Sequence, residues 1–180
     1  MNVIRSRGFT LVETLLTIGI IGVLAIAAFV IYPRVQLSNR VNTEQTNIVA
    51  IAVGIREMFG VKRDFTGINN TAVNVARITP VTMNGGNFDS AIITSPVGGN
   101  VTIGSMPAPD QDTFFIYYQE IPSAECSRIV QNVAGQFDFI HVGLGNAVQT
   151  VLTSTSPPAA ILDACNRNGD TPSAVWFYTD

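Results

Sequence analysis

One acidic residue, Glu13, lies at the start of a long apolar stretch of the chain. It closes the segment RSRGFTLVE, and from Leu15 to Tyr32 the chain then carries no charge, with Thr17 as its only polar side chain before the terminal tyrosine. An ionised side chain in hydrocarbon costs about 2.5–3.5 kcal/mol or more, so such residues are functional candidates that need a partner. The first question is therefore which positive charge Glu13 meets.

Cysteine is the second residue type with chemistry of its own. Cys126 and Cys165 form no CxxC pair, and with the single His141 they do not supply the four ligands of a structural zinc site. In an exported domain they would form a disulfide, whereas in a reducing cytosol they would remain buried free thiols. Because the apolar segment favours export, we predict the bridge; a closed loop of about 40 residues would contribute roughly 4 kcal/mol.

Other patterns are weak as reaction or binding centres. His141 lies in a strand-like run typical of a surface or core residue, and CNRNGD has Gly169 in the wrong place for an EF-hand calcium loop, so a polar turn is the simpler interpretation. The net charge of −3, without clustered Lys or Arg, gives no evident nucleic-acid site. We predict no catalytic residue, no metal and no cofactor.

The apolar segment predicts a helix that is retained in the mature protein. Its span of about 27 Å matches the hydrocarbon thickness of a bilayer. No small-residue cleavage site follows it, as a secretory signal would require. Arg5 and Arg7 favour a cytoplasmic N-terminus, with the remainder of the chain exported.

The helical pattern continues beyond the membrane segment, and we predict one helix over Phe9–Phe59, kinked at Pro33. One face is apolar: Val41, Ile48, Ala52, Ile55 and Phe59. Much of the remaining surface is polar: Asn42, Glu44, Gln45, Asn47 and Arg56. The two halves therefore require different surroundings, lipid or other helices for the first and a globular core for the second.

After Gly60 the composition changes to that of loops and short strands. We predict a short helix near 71–77, strands within SAIITSPVGGNVTIGS, a strand over Thr113–Gln119, a helix in PSAECSRIVQNVAG, strands in QFDFIHVG and AVWFYTD, and a helical turn in PAAILDACN. Residues 143–173 otherwise read as loops. The predicted fold is α+β, with the long helix packed on a mainly antiparallel sheet.

The segment GFTLVE followed directly by the apolar helix resembles the N-terminus of type IV pilins. The resemblance covers about residues 1–59 and rests on a basic leader, Gly8, Phe9, Glu13 and a retained helix in fixed order. It implies three parts: a leader peptide at 1–8, a helix at 9–60 with 9–32 in the membrane and later in a filament core, and a globular domain at 61–180 whose C-terminal region is bounded by the two cysteines.

The resemblance also implies how the subunit is processed and assembled. A prepilin peptidase would cut between Gly8 and Phe9 and methylate the new Phe9 amine. The precursor would reside in the bacterial inner membrane. Inner-membrane assembly machinery would then polymerise it with identical copies into an extracellular pilus, which would serve adhesion, aggregation or conjugation. In that filament the Phe9 ammonium of one subunit would neutralise Glu13 of its neighbour.

Several alternatives stay open. Thr10-Leu11-Val12-Glu13 also fits a capping box, which needs no partner for Glu13. The eight-residue leader and Phe9 resemble the type IVa subclass, whereas the long body and wide cysteine loop resemble type IVb major pilins, including thin-pilus subunits of conjugative plasmids; we favour type IVb. A pseudopilin of a type II secretion system or a minor pilin shares the N-terminal motif, and a membrane-tethered periplasmic enzyme or binding module is the alternative from another class.

Overall fold

The computed structural model describes residues 10–59, 64–144, 150–167 and 171–179. The chain divides into two compact units, Met1–Ser38 and Asn39–Asp180, and we call the second unit the head. The expected leader, residues 1–8 with Gly8 at its end, and Phe9 after it lie outside the described residues. Each unit is considered by itself.

Helix α1 spans Leu11–Phe59, 49 residues, close to the predicted 9–59. It begins after Thr10, whose hydroxyl oxygen accepts a hydrogen bond of 3.3 Å from the backbone N–H of Glu13. The helix continues through Pro33, which removes one backbone donor but does not end it. By length and composition it contains a segment able to cross a membrane, and none of that segment is buried in the molecule.

Within the head, the second half of α1 buries an apolar face. Val41, Ile48, Ala52 and Ile55 are buried as the periodicity predicts, together with Ile51, while Phe59 is only half-buried. Two of the polar residues on this half, Glu44 and Asn47, are buried as well. The interpretation that placed both on the polar surface of this half was wrong, because each has a partner within the head: Glu44 accepts from the hydroxyl of Tyr118, and Asn47 accepts from the hydroxyl of Thr82.

The sheet has six strands, and every pair in it is antiparallel. The strands are β1 Ile93–Thr94, β2 Asn100–Ser105, β3 Phe114–Ile121, β4 Phe139–Gly143, β5 Thr150–Leu152 and β6 Ser173–Thr179. Their order across the sheet is β1-β2-β3-β6-β4-β5, so the last strand of the chain lies between β3 and β4. The predicted α+β class and the antiparallel sheet are confirmed, whereas β5 was not predicted.

In the part of the head that the structure describes, four short α-helices accompany the sheet, and a 3-10 turn at Ala134–Gln136 follows the third of them. They are α2 Asn70–Val75, α3 Val81–Asn84, α4 Ser123–Val133 and α5 Pro158–Asn166. Of these, α3 was not predicted and α5 is longer than the expected turn. Pro158 occupies the first turn of α5, where its missing N–H costs no helical hydrogen bond.

Alternate side chains on the strands create two apolar layers. Tyr118 on β3 is fully buried, whereas its neighbour Tyr117 points to the other face of the sheet, where it stacks on Trp176 with ring centroids 4.3 Å apart. Tyr178 and Phe139 stack beside them, at 4.7 Å. The sheet therefore has a second aromatic layer on the face opposite Tyr118.

The side chain of Asn70 is hydrogen-bonded to the backbone at the outer strands of the sheet. The side-chain amide of Asn70 donates to the carbonyls of Ala91 (2.9 Å) and Val101 (2.8 Å), and its oxygen accepts from the N–H of Ile103 (2.7 Å). Asn69 caps α2 with a bond from the N–H of Ala72. Asn70 thus satisfies backbone groups of Val101 and Ile103 on β2 and of Ala91, which precedes β1.

Candidate functional site

Four polar side chains lie on one stripe in the first turns of α1. Thr10, Glu13, Thr14 and Thr17 fall at offsets 0, 3, 4 and 7, the spacing of one helix face. The hydroxyl of Thr14 donates to the carbonyl of Leu11 at 2.8 Å, and that of Thr17 to the carbonyl of Thr14 at 2.9 Å. The hydroxyl protons are therefore satisfied by the helix itself, as a membrane interior requires.

The rest of this half of α1 is an exposed apolar surface. From Leu11 to Tyr32 the large apolar side chains are between 52% exposed (Ile20) and 81% exposed (Phe29). A continuous apolar surface of this extent is not stable in water and indicates burial in lipid or against other protein surfaces. The site has the character of an assembly surface.

Glu13 is the acidic group on that surface. It lies in the first helical turn, with its backbone N–H bonded to Thr10, which is half of the expected capping box. Its predicted partner, the amine of Phe9, and the predicted cleavage site at Gly8 lie outside the described residues. The described part of the first unit, residues 10–38, contains one basic side chain, Arg34, about six turns further along the helix. That arginine is too distant to be the partner of Glu13 within the first unit.

The predicted disulfide is present in the head. Cys126 on α4 and Cys165 on α5 are bonded, with Cα atoms 5.9 Å apart, and both are fully buried. The bridge ties the two helices together at their contact. It closes the long loop that contains β4 and β5, so it restricts the unfolded chain as the prediction assumed.

A second carboxylate, Glu44, which was predicted on the polar surface of α1, lies instead in the interior of the head. Its Oε1 accepts a 2.6 Å hydrogen bond from the hydroxyl of Tyr118, and both residues have no exposed surface. Among the described residues its Oε2 has no hydrogen-bond partner, and neither has the Nδ2 of Asn47. The spacing of Glu44 from Val41 and Ile48, three and four residues, is the signal that would have placed it on the buried face.

The environment of Glu44 favours the neutral acid. Burial raises the pKa of Glu44, and its interactions with the side chains of Tyr118, Ser95 and Asn47 only partly oppose this. Burial, with the charge of Glu44 as a second cause, raises the pKa of Tyr118 well above its ordinary value. No basic side chain is among the interactions that influence this pair.

The weaker candidates occupy structural positions. The His141 ring, half-buried on β4, lies 4.8 Å from Tyr178 and 5.5 Å from Phe139 between centroids, as part of the second aromatic layer. In the CNRNGD segment, Asn166 ends α5 and residues 168–170 lie outside the described residues. The described ranges contain no group of three or more His, Cys, Asp or Glu side chains placed to hold a metal ion.

Comparison with known families agrees with both halves of this arrangement. A model described as the prokaryotic N-terminal methylation motif matches residues 4–29, and a model described as PilS N terminal matches residues 38–178. The second match covers most of the chain. The protein is a type IV pilin, a structural subunit rather than an enzyme, and it belongs to the PilS N-terminal family.

Solved structures show the same fold. TcpA, a type IV pilin from Vibrio cholerae El Tor biotype, is similar with a TM-score of 0.55 and 16% sequence identity, covering 79% of this chain and 99% of that chain. It is one of ten solved chains that match. At this identity the likeness concerns the fold. No curated protein matches the sequence.

Proposed function

We propose that this chain is the major subunit of a type IV pilus of the IVb subclass, cut between Gly8 and Phe9 by a prepilin peptidase and methylated on the new amine. The precursor would reside in the inner membrane and be extracted by membrane-bound assembly machinery into an extracellular filament of identical subunits. The observation that carries the proposal is the exposed apolar half of α1 with one acid in its first turn.

The charge on Glu13 explains how the copies are kept in register. Cleavage would create an ammonium group at Phe9, and in the described part of the first unit, residues 10–38, no basic side chain lies near Glu13. An opposite charge within a few ångströms offsets the cost of an ion in hydrocarbon. Any axial stagger that separates the two charges leaves both uncompensated, so the pair selects one stagger.

The subclass and the use of the pilus rest on the head. The long body and the wide loop between Cys126 and Cys165 support type IVb, and similarity to thin-pilus subunits supports a role in conjugation or aggregation. A type II secretion pseudopilin or a minor pilin remains the second candidate, because both would carry the same N-terminal motif. Abundance of surface fibres separates these proposals, since a pseudopilin or minor subunit would not be the main fibre protein.

The test combines fibre isolation with one substitution. Fibres sheared from cells should contain this chain as their main protein, starting at Phe9 and heavier by one methyl group in mass spectrometry. Glu13→Ala should leave the processed subunit in the membrane with its disulfide formed, but weaken subunit association by about a hundredfold, as expected for an uncompensated charge in hydrocarbon. Normal fibre yield from this variant would refute the register role, and a mature chain that retains residues 1–8 would refute the processing.

A further inference from the structure

Thr17 is a polar residue that the pairing of Glu13 leaves unexplained. It is the only polar side chain between Leu15 and Ile31, in a segment whose other members are apolar or glycine. Thr17 follows Glu13 by four residues, so the two side chains are neighbours on one face of α1, roughly 5–6 Å apart at their Cβ atoms. Both are exposed.

The hydroxyl of Thr17 is fixed as a hydrogen-bond acceptor toward the outside of the helix. Its one proton is donated to the carbonyl of Thr14 at 2.9 Å. The lone pairs of Oγ1 therefore remain for an N–H or O–H donor from elsewhere, and the bond to the carbonyl polarises this oxygen and strengthens it as an acceptor. Beside it stands the carboxylate of Glu13, an acceptor as well, so the pair matches a cation with more than one donor.

We propose that Thr17 and Glu13 together bind the N-terminal ammonium of a second copy of this chain. The proposal rests on the function proposed above. A singly methylated ammonium at Phe9 keeps two N–H bonds, and in a water-free interior each needs an acceptor. One is directed to the carboxylate of Glu13 and the other to Oγ1 of Thr17, so that Thr17 is a positioning residue that fixes the direction from which the neighbouring chain enters.

The test compares two substitutions that differ by a hydroxyl. Thr17→Val keeps the branched shape and suits a membrane helix, whereas Thr17→Ser keeps the hydroxyl. Sheared fibre is measured per processed subunit in the membrane of the same cells, with the N-terminal mass as the check on processing. Thr17→Val should lower this yield about 3- to 15-fold, the range expected for one interhelical hydrogen bond, and Thr17→Ser should stay near the wild-type yield.

A double-mutant cycle with Glu13→Gln separates this inference from the proposed function. If both residues bind the same ammonium, Thr17→Val should add little to the loss already caused by Glu13→Gln. A wild-type yield from Thr17→Val, an equal loss from Thr17→Ser, or full additivity would overturn the role of Thr17 while leaving the register pair in place. A wild-type yield from Glu13→Gln itself would overturn the register pair.

Discussion

In the first half of α1, Glu13 lies among exposed apolar side chains, whereas in the second half Glu44 lies with no exposed surface beside Tyr118. Both acids lie on the same helix, and among the residues that the structure describes neither is placed beside a basic side chain in its own unit. In the head, burial raises the pKa of Glu44 and so favours its neutral form, and its Oε1 accepts a hydrogen bond from the hydroxyl of Tyr118. Among the described residues of the first half, no basic group lies beside Glu13, and we infer that another molecule supplies this partner.

The two halves of α1 therefore make two kinds of interaction. Contacts of the second half determine whether the head folds, and contacts of the first half determine whether folded subunits assemble. Substitutions in the head should therefore alter its stability and the level of the subunit. Substitutions of the polar side chains in the first turns of α1, such as Glu13 and Thr17, should alter fibre yield while the stability of the head stays constant. Three changes in the head should affect its stability without affecting assembly directly, and their expected effects decrease from the disulfide to Asn70 to Glu44.

Loss of the disulfide should have the largest effect. Cys126→Ser paired with Cys165→Ser should lower the free energy of unfolding of the head by about 4 kcal/mol, because the unfolded chain regains the freedom of the closed loop. Thermal unfolding of the detergent-solubilised chain measures this. Membrane retention should be unchanged, since α1 alone provides it. Equal unfolding temperatures with and without the bridge would contradict the prediction.

The parts of the fold that sequence reasoning found are those with a local signal. The apolar runs of α1 and β3 are signals carried by neighbouring residues, and the helix and the strand predicted from them are confirmed. The predicted disulfide, which rested on the expected export of the domain, is present as well. The three-residue β5 and four-residue α3 are too short for a periodic pattern. The spacing of Glu44 from Val41 and Ile48 would have indicated its burial, but its partner Tyr118 lies 74 residues further along the chain, and no local pattern contains that pairing.

Removal of the Asn70 side chain should have the next largest effect. Asn70→Ala leaves the carbonyls of Ala91 and Val101 and the N–H of Ile103 without their partner, and we expect a loss of about 2–4 kcal/mol in the free energy of unfolding. The matched control is Asn87→Ala, because Asn87 is exposed and accepts a single 3.3 Å bond from Asp89. Denaturant titration measures both. An equal decrease in the free energy of unfolding in the two variants would show that the hydrogen bonds of Asn70 do not stabilise the head.

The pH dependence of stability is the smallest effect. Because the pKa of Glu44 is raised in the folded head, its contribution is fully present below its ordinary pKa and is lost as the pH rises through the raised value. Glu44→Gln cannot ionise, so its unfolding temperature should depend less on pH between about pH 4 and 8 than that of the wild type.

Glu57, exposed on the same helix, provides the matched substitution Glu57→Gln, whose pH profile is measured beside that of Glu44→Gln. If the Glu44→Gln profile were as steep as that of the wild type, ionisation of Glu44 would not be the cause of the slope. If the Glu57→Gln profile were the flatter one, the acid that matters would lie on the surface.

The position of β6 has a consequence for the order of events during biogenesis. This strand, which ends at Thr179, pairs with β3 on one side and with β4 on the other. Until β6 is in place, the edges of β3 and β4 that it covers are open and prone to wrong pairing. The sheet can close only after β6 has been synthesised, although β3 precedes it by more than 50 residues, so pairing of the central strands is a late step in folding of the head.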